Sequence, residues 1–198
     1  AFKIPNVDEL PDLTVKFRTD PEGFQPYNRN SDTLARDWVK PGTPGLVNRV
    51  GSLEKDSVTG AVSHDAENHH NMTLTRQKKV DIIANDIADL EIHGDQDGGD
   101  VAVISWGSSF GTVRNTVDKY RVAGKSVSHL HFTHINPFPK NTEETLKKFK
   151  KIAIAEVNLG QLAKLIRMTY LLDPVQINRV QGKPLTEEEL FTVIDRLL

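Results

Sequence analysis

The sequence predicts an α/β protein whose core is an open, mostly parallel sheet with helices on both faces, preceded by a long irregular arm. The first observation is an apolar run over residues 101–106, interrupted only by Ser105, which predicts a strand covered on both sides. The second is the glycine-bracketed turn 107–111 behind it, where a helical pattern begins. The third is that strands and helices go on alternating through residues 91–198, as is typical of a parallel sheet.

The next two elements continue this alternation. Residues 112–123 carry apolar side chains at helical spacing, and Gly124 stands where a left-handed residue commonly ends a helix. Residues 126–133 then alternate as a strand, with His129 and His131 on the same face. Two prolines in the following segment force the chain out of the sheet, so the strand must end there.

A capping box predicts the third helix, because Asn141 is followed three residues later by Glu144, and we expect this helix to continue to Lys150. Residues 152–157 are apolar on both faces and predict a third strand. A turn over residues 158–161 then leads into a long helix with leucine and isoleucine on its inner face.

The last strand and helix complete the pattern. Residues 175–180 alternate more weakly and contain Arg179, which is typical of an edge strand. Thr186 and Glu189 form a second capping box at the start of the C-terminal helix. The predicted order is therefore β-α-β-α-β-α-β-α.

The N-terminal third has a different character, because prolines and glycines recur throughout residues 1–62 and exclude long regular elements. It nevertheless contains many large apolar side chains, namely Phe2, Ile4, Phe17, Phe24, Tyr27, Trp38, Leu46 and Val50. We therefore predict an ordered arm over residues 1–62 that packs on a neighbouring domain or subunit. A connecting helix follows in residues 63–90, with Met72, Val80, Ile83 and Ile87 near one face, and the α/β domain occupies residues 91–198.

Composition excludes several classes of protein. The 198 residues carry a net charge of −2, which gives no general attraction to nucleic acid or to an anionic membrane. The sequence has neither a membrane-spanning apolar run nor a signal segment. Because it has no cysteine, disulfides, thiolate zinc sites and cysteine-ligated iron–sulfur clusters are excluded within it, and a cytoplasmic location is expected. The start at Ala1, without Met, fits a processed or cut chain.

Two histidine groups could form metal sites. His64, Asp65 and His69 could converge on one ion, but a helix N-terminus with Asp65 as its N-cap accounts for the same pattern and is favoured. His129 and His131 could bind a metal from one strand face. No third ligand is placed beside them, so buried or interface histidines are favoured.

Three loops suggest other chemistry. The glycines at 42–51 and 107–111 could cradle a phosphate, but neither spacing matches a nucleotide-binding fingerprint, so structural turns are favoured. Residues 95–100 resemble the start of a calcium loop without its later ligands. Ser109 stands where a hydrolase nucleophile would in the second glycine turn, but no histidine follows His134, and this absence argues against a catalytic triad.

Five groups of motifs occur in an order that resembles one family. They are PGTPGL, GSLEK and VSHDAENH within residues 41–69, SWGSSFG at 105–111, HLHFTHINPFP at 129–139, EVNLGQL at 156–162 and INRVQGKPLT at 177–186. The series is similar to the C-terminal part of the alpha subunit of 2-oxoacid:ferredoxin oxidoreductases, most closely the 2-oxoglutarate type. The family often carries a histidine in the loop where Asn48 stands here. The resemblance implies a transketolase-C-terminal-like fold for the α/β domain.

The resemblance also implies a function for the full complex, which would oxidatively decarboxylate a 2-oxoacid to an acyl-CoA and pass electrons to ferredoxin. Thiamine diphosphate, magnesium and an iron–sulfur cluster are expected in that complex. None is expected to bind this chain alone, because the diphosphate motif belongs to the beta subunit and the pyrimidine-type domain of the alpha subunit should lie upstream of Ala1. The chain is therefore expected to be inactive by itself and to serve assembly, with the rest of the alpha subunit and the beta subunit as partners. Association with further copies of itself is left open.

The predicted interface or active-site-proximal residues lie where strands end and in one loop. The carboxyl ends of parallel strands meet at one edge of a sheet, the usual place for a ligand or partner. These residues are Asn136, Glu156, Asn158 and Gln161, and we add Gly42, Thr43, Asn48 and Arg49 from the arm. Two alternatives are kept: a stand-alone small-ligand or nucleotide-binding module, and the equivalent domain of another thiamine diphosphate enzyme.

Overall fold

The computed structural model describes residues 4–198, so the first three residues of the predicted arm, including Phe2, lie outside the described part. The chain divides into two compact units, of which the first ends at Ile82 and the second runs from Ile83 to Leu198. The boundaries predicted from the sequence at 62/63 and 90/91 stay a prediction. Within the described residues, no helix has both the length and the apolar character that a membrane crossing requires.

The first unit is built mainly from turns and isolated bridges. From residue 4 onward it contains a short 3-10 helix at Val7–Glu9 and one α-helix, α1 (Ala66–Ile82). Three isolated β-bridges connect its loop segments, pairing Phe17 with Trp38, Arg29 with Arg36 and Lys55 with Val62. Its interior is small, with buried side chains that include Tyr27, Leu46, Lys55 and Met72. Of the apolar side chains predicted to pack on a partner, Tyr27 and Leu46 are buried, whereas Ile4, Trp38 and Val50 are more than half exposed.

The helix α1 begins as predicted but ends earlier. Asp65 accepts a hydrogen bond from the backbone N–H of Asn68 at 2.7 Å, which is the N-cap interaction predicted from the sequence. The α-helical pattern predicted to reach Ile87 stops at Ile82, where a 3-10 turn over Ile83–Asn85 follows. Of the helix's own residues only Met72 is buried, so the predicted apolar face is not a buried stripe.

The second unit contains a five-stranded sheet. Its strands are β1 (Ile92–His93), β2 (Gly99–Trp106), β3 (Val127–Phe132), β4 (Phe149–Glu156) and β5 (Val175–Asn178). Their spatial order is β1-β3-β2-β4-β5. All neighbouring pairs are parallel except β1 with β3, which is antiparallel. The two-residue strand β1 was not predicted, and β5 lies at an edge as expected.

Four helices cover the two faces of this sheet: α2 (Phe110–Val122), α3 (Thr142–Lys147), α4 (Gln161–Tyr170) and α5 (Glu187–Ile194). Alternate residues of β2 point into different apolar clusters, Ile104 into one and Val103 into the other. The first cluster includes residues of α3 and α4, and the second includes residues of α2 and α5. The predicted fold class, an open and mostly parallel sheet with helices on both faces, is confirmed.

The third helix and its cap differ from the prediction. The helix α3 ends at Lys147, and β4 already begins at Phe149, which pairs with Gly99 of β2. Residues 149–150, which the local pattern assigned to the helix, therefore belong to β4, because this strand pairs with the central strand β2. The Asn141 side chain does not cap α3, because it accepts a hydrogen bond from the Leu90 N–H at 2.8 Å and donates to the Leu90 carbonyl at 3.1 Å. The second capping box, at Thr186 and Glu189, is confirmed.

Candidate functional site

The carboxyl ends of the parallel strands place several polar side chains at one edge of the sheet. Register pairs Trp106 at the end of β2 with Phe132 at the end of β3. Glu156 ends β4, the neighbour of β2 on its other side. The edge predicted from the sequence is therefore present in the structure.

Glu156 is the centre of a hydrogen-bond network at the start of α4. The residue is 1% exposed, and its carboxylate accepts hydrogen bonds from the backbone N–H groups of Leu162, at 2.9 Å, and Ala163, at 3.0 Å. It also accepts from the Asn158 amide at 3.0 Å and from the Trp106 indole at 3.4 Å. A negative group at a helix N-terminus satisfies backbone donors that lack partners within the helix. The arrangement connects β4, β2 and α4.

Two further predicted residues belong to the same network. Asn158 Oδ1 accepts a hydrogen bond from the Gln161 backbone N–H at 2.9 Å, so the turn between β4 and α4 is closed by Asn158 and Glu156 together. Gly160 lies in this turn with φ +76°, a conformation that favours glycine. Asn136 is exposed in the segment after β3 and does not join these hydrogen bonds within the described residues. Whether these residues form an interface stays a prediction.

The predicted residues of the first unit lie in a turn beside a groove. Thr43 closes the turn, because its hydroxyl donates to the Lys40 carbonyl at 2.8 Å, and Gly42 has φ +87°. The Asn48 amide donates to the Leu46 carbonyl at 3.2 Å, and the Arg49 carbonyl accepts from the Tyr27 hydroxyl at 3.3 Å.

Gly42 and Asn48 line a groove of about 600 Å³ whose walls are mostly apolar. Phe17, Trp38, Val47 and Val50 contribute to these walls. Trp38 is 62% exposed and Val47 is 86% exposed, so the groove opens directly to the surface of the unit. It is the feature of the first unit best suited to receive another apolar surface.

A buried polar chain that the sequence did not reveal crosses β2 and β3. The Ser105 hydroxyl oxygen lies 2.6 Å from His129 Nε2 and 2.7 Å from His131 Nδ1. Arg114 of α2 donates through Nε to His129 Nδ1 at 3.0 Å. Because His129 Nδ1 accepts, its proton is on Nε2 and is donated to the Ser105 oxygen. The Ser105 hydroxyl then donates to His131 Nδ1.

The surroundings of this chain keep both imidazoles neutral. Burial, reinforced by the Arg114 guanidinium, lowers the pKa of His129 to about 3. Burial and the same guanidinium also lower the pKa of His131. The Phe110 ring packs against both imidazoles, with centroid distances of 5.5 Å to His129 and 4.9 Å to His131. Ser105, His129 and His131 therefore form a fixed set of neutral hydrogen-bond donors and acceptors beside the positively charged Arg114 guanidinium.

His69, one of the residues of the candidate metal group, has another partner. His69 Nδ1 lies 2.9 Å from Glu54 Oε2, and the same carboxylate binds Arg76 at 3.1 and 3.0 Å. These hydrogen bonds, first those of Arg76, lower the pKa of Glu54 to about 2. Among residues 4–198 no group of three or more histidine or acidic side chains is arranged to bind a metal.

The other candidate loops are held by internal hydrogen bonds. Ser109, in the hydrolase-like position, is buried and donates to the Trp106 carbonyl at 2.8 Å. Asp95, in the calcium-like loop, accepts from Arg121 at 2.9 Å and from Ser126 at 2.7 Å. These contacts account for the side chains that suggested other chemistry.

Comparison with known proteins gives a consistent result. Residues 99–190 match the family model described as pyruvate:ferredoxin oxidoreductase core domain II. The chain is 38% identical over 189 residues to the 2-oxoglutarate oxidoreductase subunit KorA of Mycobacterium tuberculosis, covering 96% of this chain and 29% of the relative. It is 28% identical over 111 residues to the 2-oxoglutarate synthase subunit KorA of Methanocaldococcus jannaschii, covering 53% of this chain and 30% of that subunit.

A solved structure agrees over nearly the whole chain. The 2-oxoglutarate:ferredoxin oxidoreductase from Magnetococcus marinus, with 2-oxoglutarate, coenzyme A and succinyl-CoA bound, superposes with a TM-score of 0.88 at 25% identity. The match covers 98% of this chain and 34% of the other. The chain thus spans about a third of the length of these three relatives, and the resemblance inferred from the motifs is confirmed.

Proposed function

We propose that this chain serves the assembly of a 2-oxoglutarate:ferredoxin oxidoreductase and not its chemistry. It is homologous to the KorA alpha subunit of these enzymes, and its residues 99–190 match the pyruvate:ferredoxin oxidoreductase core domain II. The complete enzyme would convert 2-oxoglutarate and coenzyme A into succinyl-CoA and carbon dioxide and transfer two electrons to ferredoxin. This chain would hold the rest of the alpha subunit in place and contact the beta subunit. A cytoplasmic location is part of the same proposal.

The observation that carries the proposal is the exposed apolar groove of the first unit. Large apolar side chains that stay in contact with water are unusual in such number on a protein without partners. Each side chain of this size gains about 1.5–3 kcal/mol when it is fully buried, so covering the groove would favour association strongly. The M. marinus relative contains about twice as much further polypeptide, since the match covers only 34% of it. We assign the groove to the remaining part of the alpha subunit.

The cofactors expected for the complex do not fit the residues of this chain. Iron–sulfur clusters are ligated mainly by cysteine, and the sequence has none. A magnesium ion with a diphosphate needs clustered oxygen ligands, and the described residues contain no cluster of acidic or histidine side chains arranged for a metal. At the carboxyl edge, Glu156 and Asn158 are engaged in hydrogen bonds at the start of α4. We propose that thiamine diphosphate, magnesium and the cluster are bound by other parts of the complex.

A pair of matched substitutions tests the assembly role. Val47, which lines the groove, is 86% exposed, and Val122, which lies at the end of α2, is 90% exposed. The complete alpha subunit carrying Val47→Asp or Val122→Asp would be co-expressed with the beta subunit. We expect Val47→Asp to reduce the amount of assembled complex and the 2-oxoglutarate-dependent reduction of ferredoxin in parallel, since a charge is placed in an apolar interface.

The control should behave differently. Val122→Asp introduces the same charge at an equally exposed valine outside the groove, and we expect normal assembly and activity. A Val47→Asp enzyme that assembles and turns over like the wild type would contradict the proposed role of the groove.

A further inference from the structure

Arg114 is a half-buried cation without an anionic partner in the described part of the chain. The helix α2 has two arginines, and the other one, Arg121, is paired with Asp95. Among residues 4–198 no carboxylate lies within 4 Å of the Arg114 guanidinium. The acid one turn further along α2, Asp118, lies 2.6 Å from His93 Nε2 instead. A partly desolvated guanidinium is normally compensated by an anion, so the missing partner needs an explanation.

The guanidinium is held in a defined position. Its Nε donates to the buried His129 at 3.0 Å, and its Cζ lies 5.0 Å from the centroid of the Phe110 ring. His129 is in turn fixed by Ser105. This support leaves the two Nη groups available as a planar pair of donors, which is the geometry that binds a carboxylate through both oxygens.

Nearby donors face outward as well. The Arg114 Nη groups and His131 Nε2 have no hydrogen-bond partner within the described residues. In that part of the chain, the buried side-chain atoms that lack a hydrogen-bond partner are Arg29 Nε and Asn178 Oδ1. The Arg114 Nη groups and His131 Nε2 are not among them, so these atoms are accessible to solvent. Because His131 Nδ1 accepts from Ser105, Nε2 carries the proton and can donate. The Phe110 ring beside them is 42% exposed.

We propose that Arg114, His131 and Phe110 form a docking site for an acidic side chain of another subunit in the complex. The carboxylate would accept two hydrogen bonds from the Arg114 Nη groups and one from His131 Nε2, while Phe110 covers its apolar stem. An arginine beside an aromatic ring is a common centre of binding energy in protein interfaces. A free small anion would lack the surrounding contacts that offset the cost of ordering it at a half-exposed site. The proposal rests on the assignment of the chain to a multi-subunit enzyme.

The test measures association of the complete alpha subunit with the beta subunit as a function of salt. Arg114→Gln should weaken the complex by about 30-fold or more, because one partner of an interfacial ion pair is removed, and it should reduce the salt dependence of the dissociation constant. Arg121→Gln is the matched control, since it removes an arginine of the same helix that is paired internally with Asp95. The control should leave affinity and salt dependence near those of the wild type.

A second pair of variants separates binding from folding, since Arg114→Gln also removes the hydrogen bond to His129. His131→Gln retains an N–H donor and should bind more tightly than His131→Leu, which removes the donor and should bind several-fold more weakly than the wild type. The inference is overturned if Arg114→Gln retains wild-type affinity and salt dependence. It is equally overturned, where Arg114→Gln fails to fold, if His131→Leu and His131→Gln bind alike.

The same experiment distinguishes this inference from the proposed function. Wild-type alpha subunit that does not associate with a beta subunit would contradict the proposed function itself. Association that is lost in Val47→Asp but retained in Arg114→Gln would leave the proposed role of the groove intact and remove only the carboxylate site.

Discussion

Replacing Glu156 by glutamine tests the most connected side chain at the carboxyl edge of the sheet. In the native protein the Oε2 atom accepts hydrogen bonds from Leu162, Asn158 and Trp106, whereas Oε1 accepts from the Ala163 N–H at 3.0 Å. The glutamine amide keeps one oxygen, which is best placed where Oε2 stood. Its NH₂ group then faces the Ala163 N–H, so two donors meet and neither has an acceptor.

The expected loss follows from these contacts. A hydrogen bond to a charged group contributes about 1.5–3 kcal/mol, and a buried donor left unpaired costs a similar amount. A negative charge at a helix N-terminus adds about 0.3–1 kcal/mol. Since these terms overlap, we expect Glu156→Gln to lower the free energy of unfolding by about 2–4 kcal/mol. That is a large fraction of the stability of an ordinary domain, which is about 5–15 kcal/mol.

Urea titration of the purified chain provides the assay. The sequence has two tryptophans, Trp38 in the first unit and Trp106 in the second, so a Trp38→Phe background makes fluorescence report on the second unit alone. Glu143→Gln is the control, because Glu143 is an exposed member of a surface pair with Lys147 and should contribute about 0.5 kcal/mol or less. If Glu156→Gln and Glu143→Gln differ by less than about 0.5 kcal/mol, the capping role assigned to Glu156 is wrong.

Three further predictions concern the same unit. Acidification below about pH 6.5 should lower its free energy of unfolding by up to about 1.4 kcal/mol per pH unit in urea titrations read by Trp106 fluorescence. The reason is that His129, with a folded pKa of about 3, stays neutral while the unfolded state binds the proton, and a flat profile between pH 4 and 6.5 would refute this. Gly160→Ala should lower the free energy of unfolding of this unit by about 1–2 kcal/mol, because φ at this position is +76°. Gly111 lies in a helix with open space around it, so Gly111→Ala should leave the free energy of unfolding unchanged or raise it in the same titration. Thr186→Ala should cost about 1 kcal/mol by removing the cap of α5, and an unchanged midpoint of thermal unfolding would contradict it.

The alternation of strands and helices could be predicted from sequence because it rests on local pattern. The apolar run that became β2 is buried on both faces, and its alternate residues enter two different clusters. The capping box at Thr186 depends on residues three apart and was equally readable. The pattern at Asn141 is the same, yet its side chain binds Leu90, 51 positions away in sequence. Local spacing alone cannot distinguish these two outcomes.

The buried polar chain shows a second limit. Alternation placed His129 and His131 on one strand face, and Ser105 stood out as the polar residue in an apolar run. Their contact depends on β3 lying beside β2 with Ser105 opposite His131. That register is a property of the folded sheet. The sequence therefore shows the three residues but does not predict that they form hydrogen bonds with one another.

The first unit was the least predictable part. Its order comes from single bridges, turns and side-chain contacts that leave no periodic signal, such as the Glu54 carboxylate binding both Arg76 and His69. The sequence did indicate that its apolar side chains need a partner, and the exposed groove that contains Trp38 and Val47 agrees with that expectation.

The most direct test of the central claim compares the isolated chain with the assembled enzyme. Reduction of ferredoxin would be followed in the presence of 2-oxoglutarate, coenzyme A, thiamine diphosphate and magnesium. We expect no activity from residues 1–198 alone, and full activity from the complete alpha subunit together with the beta subunit. Substrate-dependent reduction of ferredoxin by the purified chain alone would contradict the view that this part of the subunit serves assembly while the chemistry takes place elsewhere.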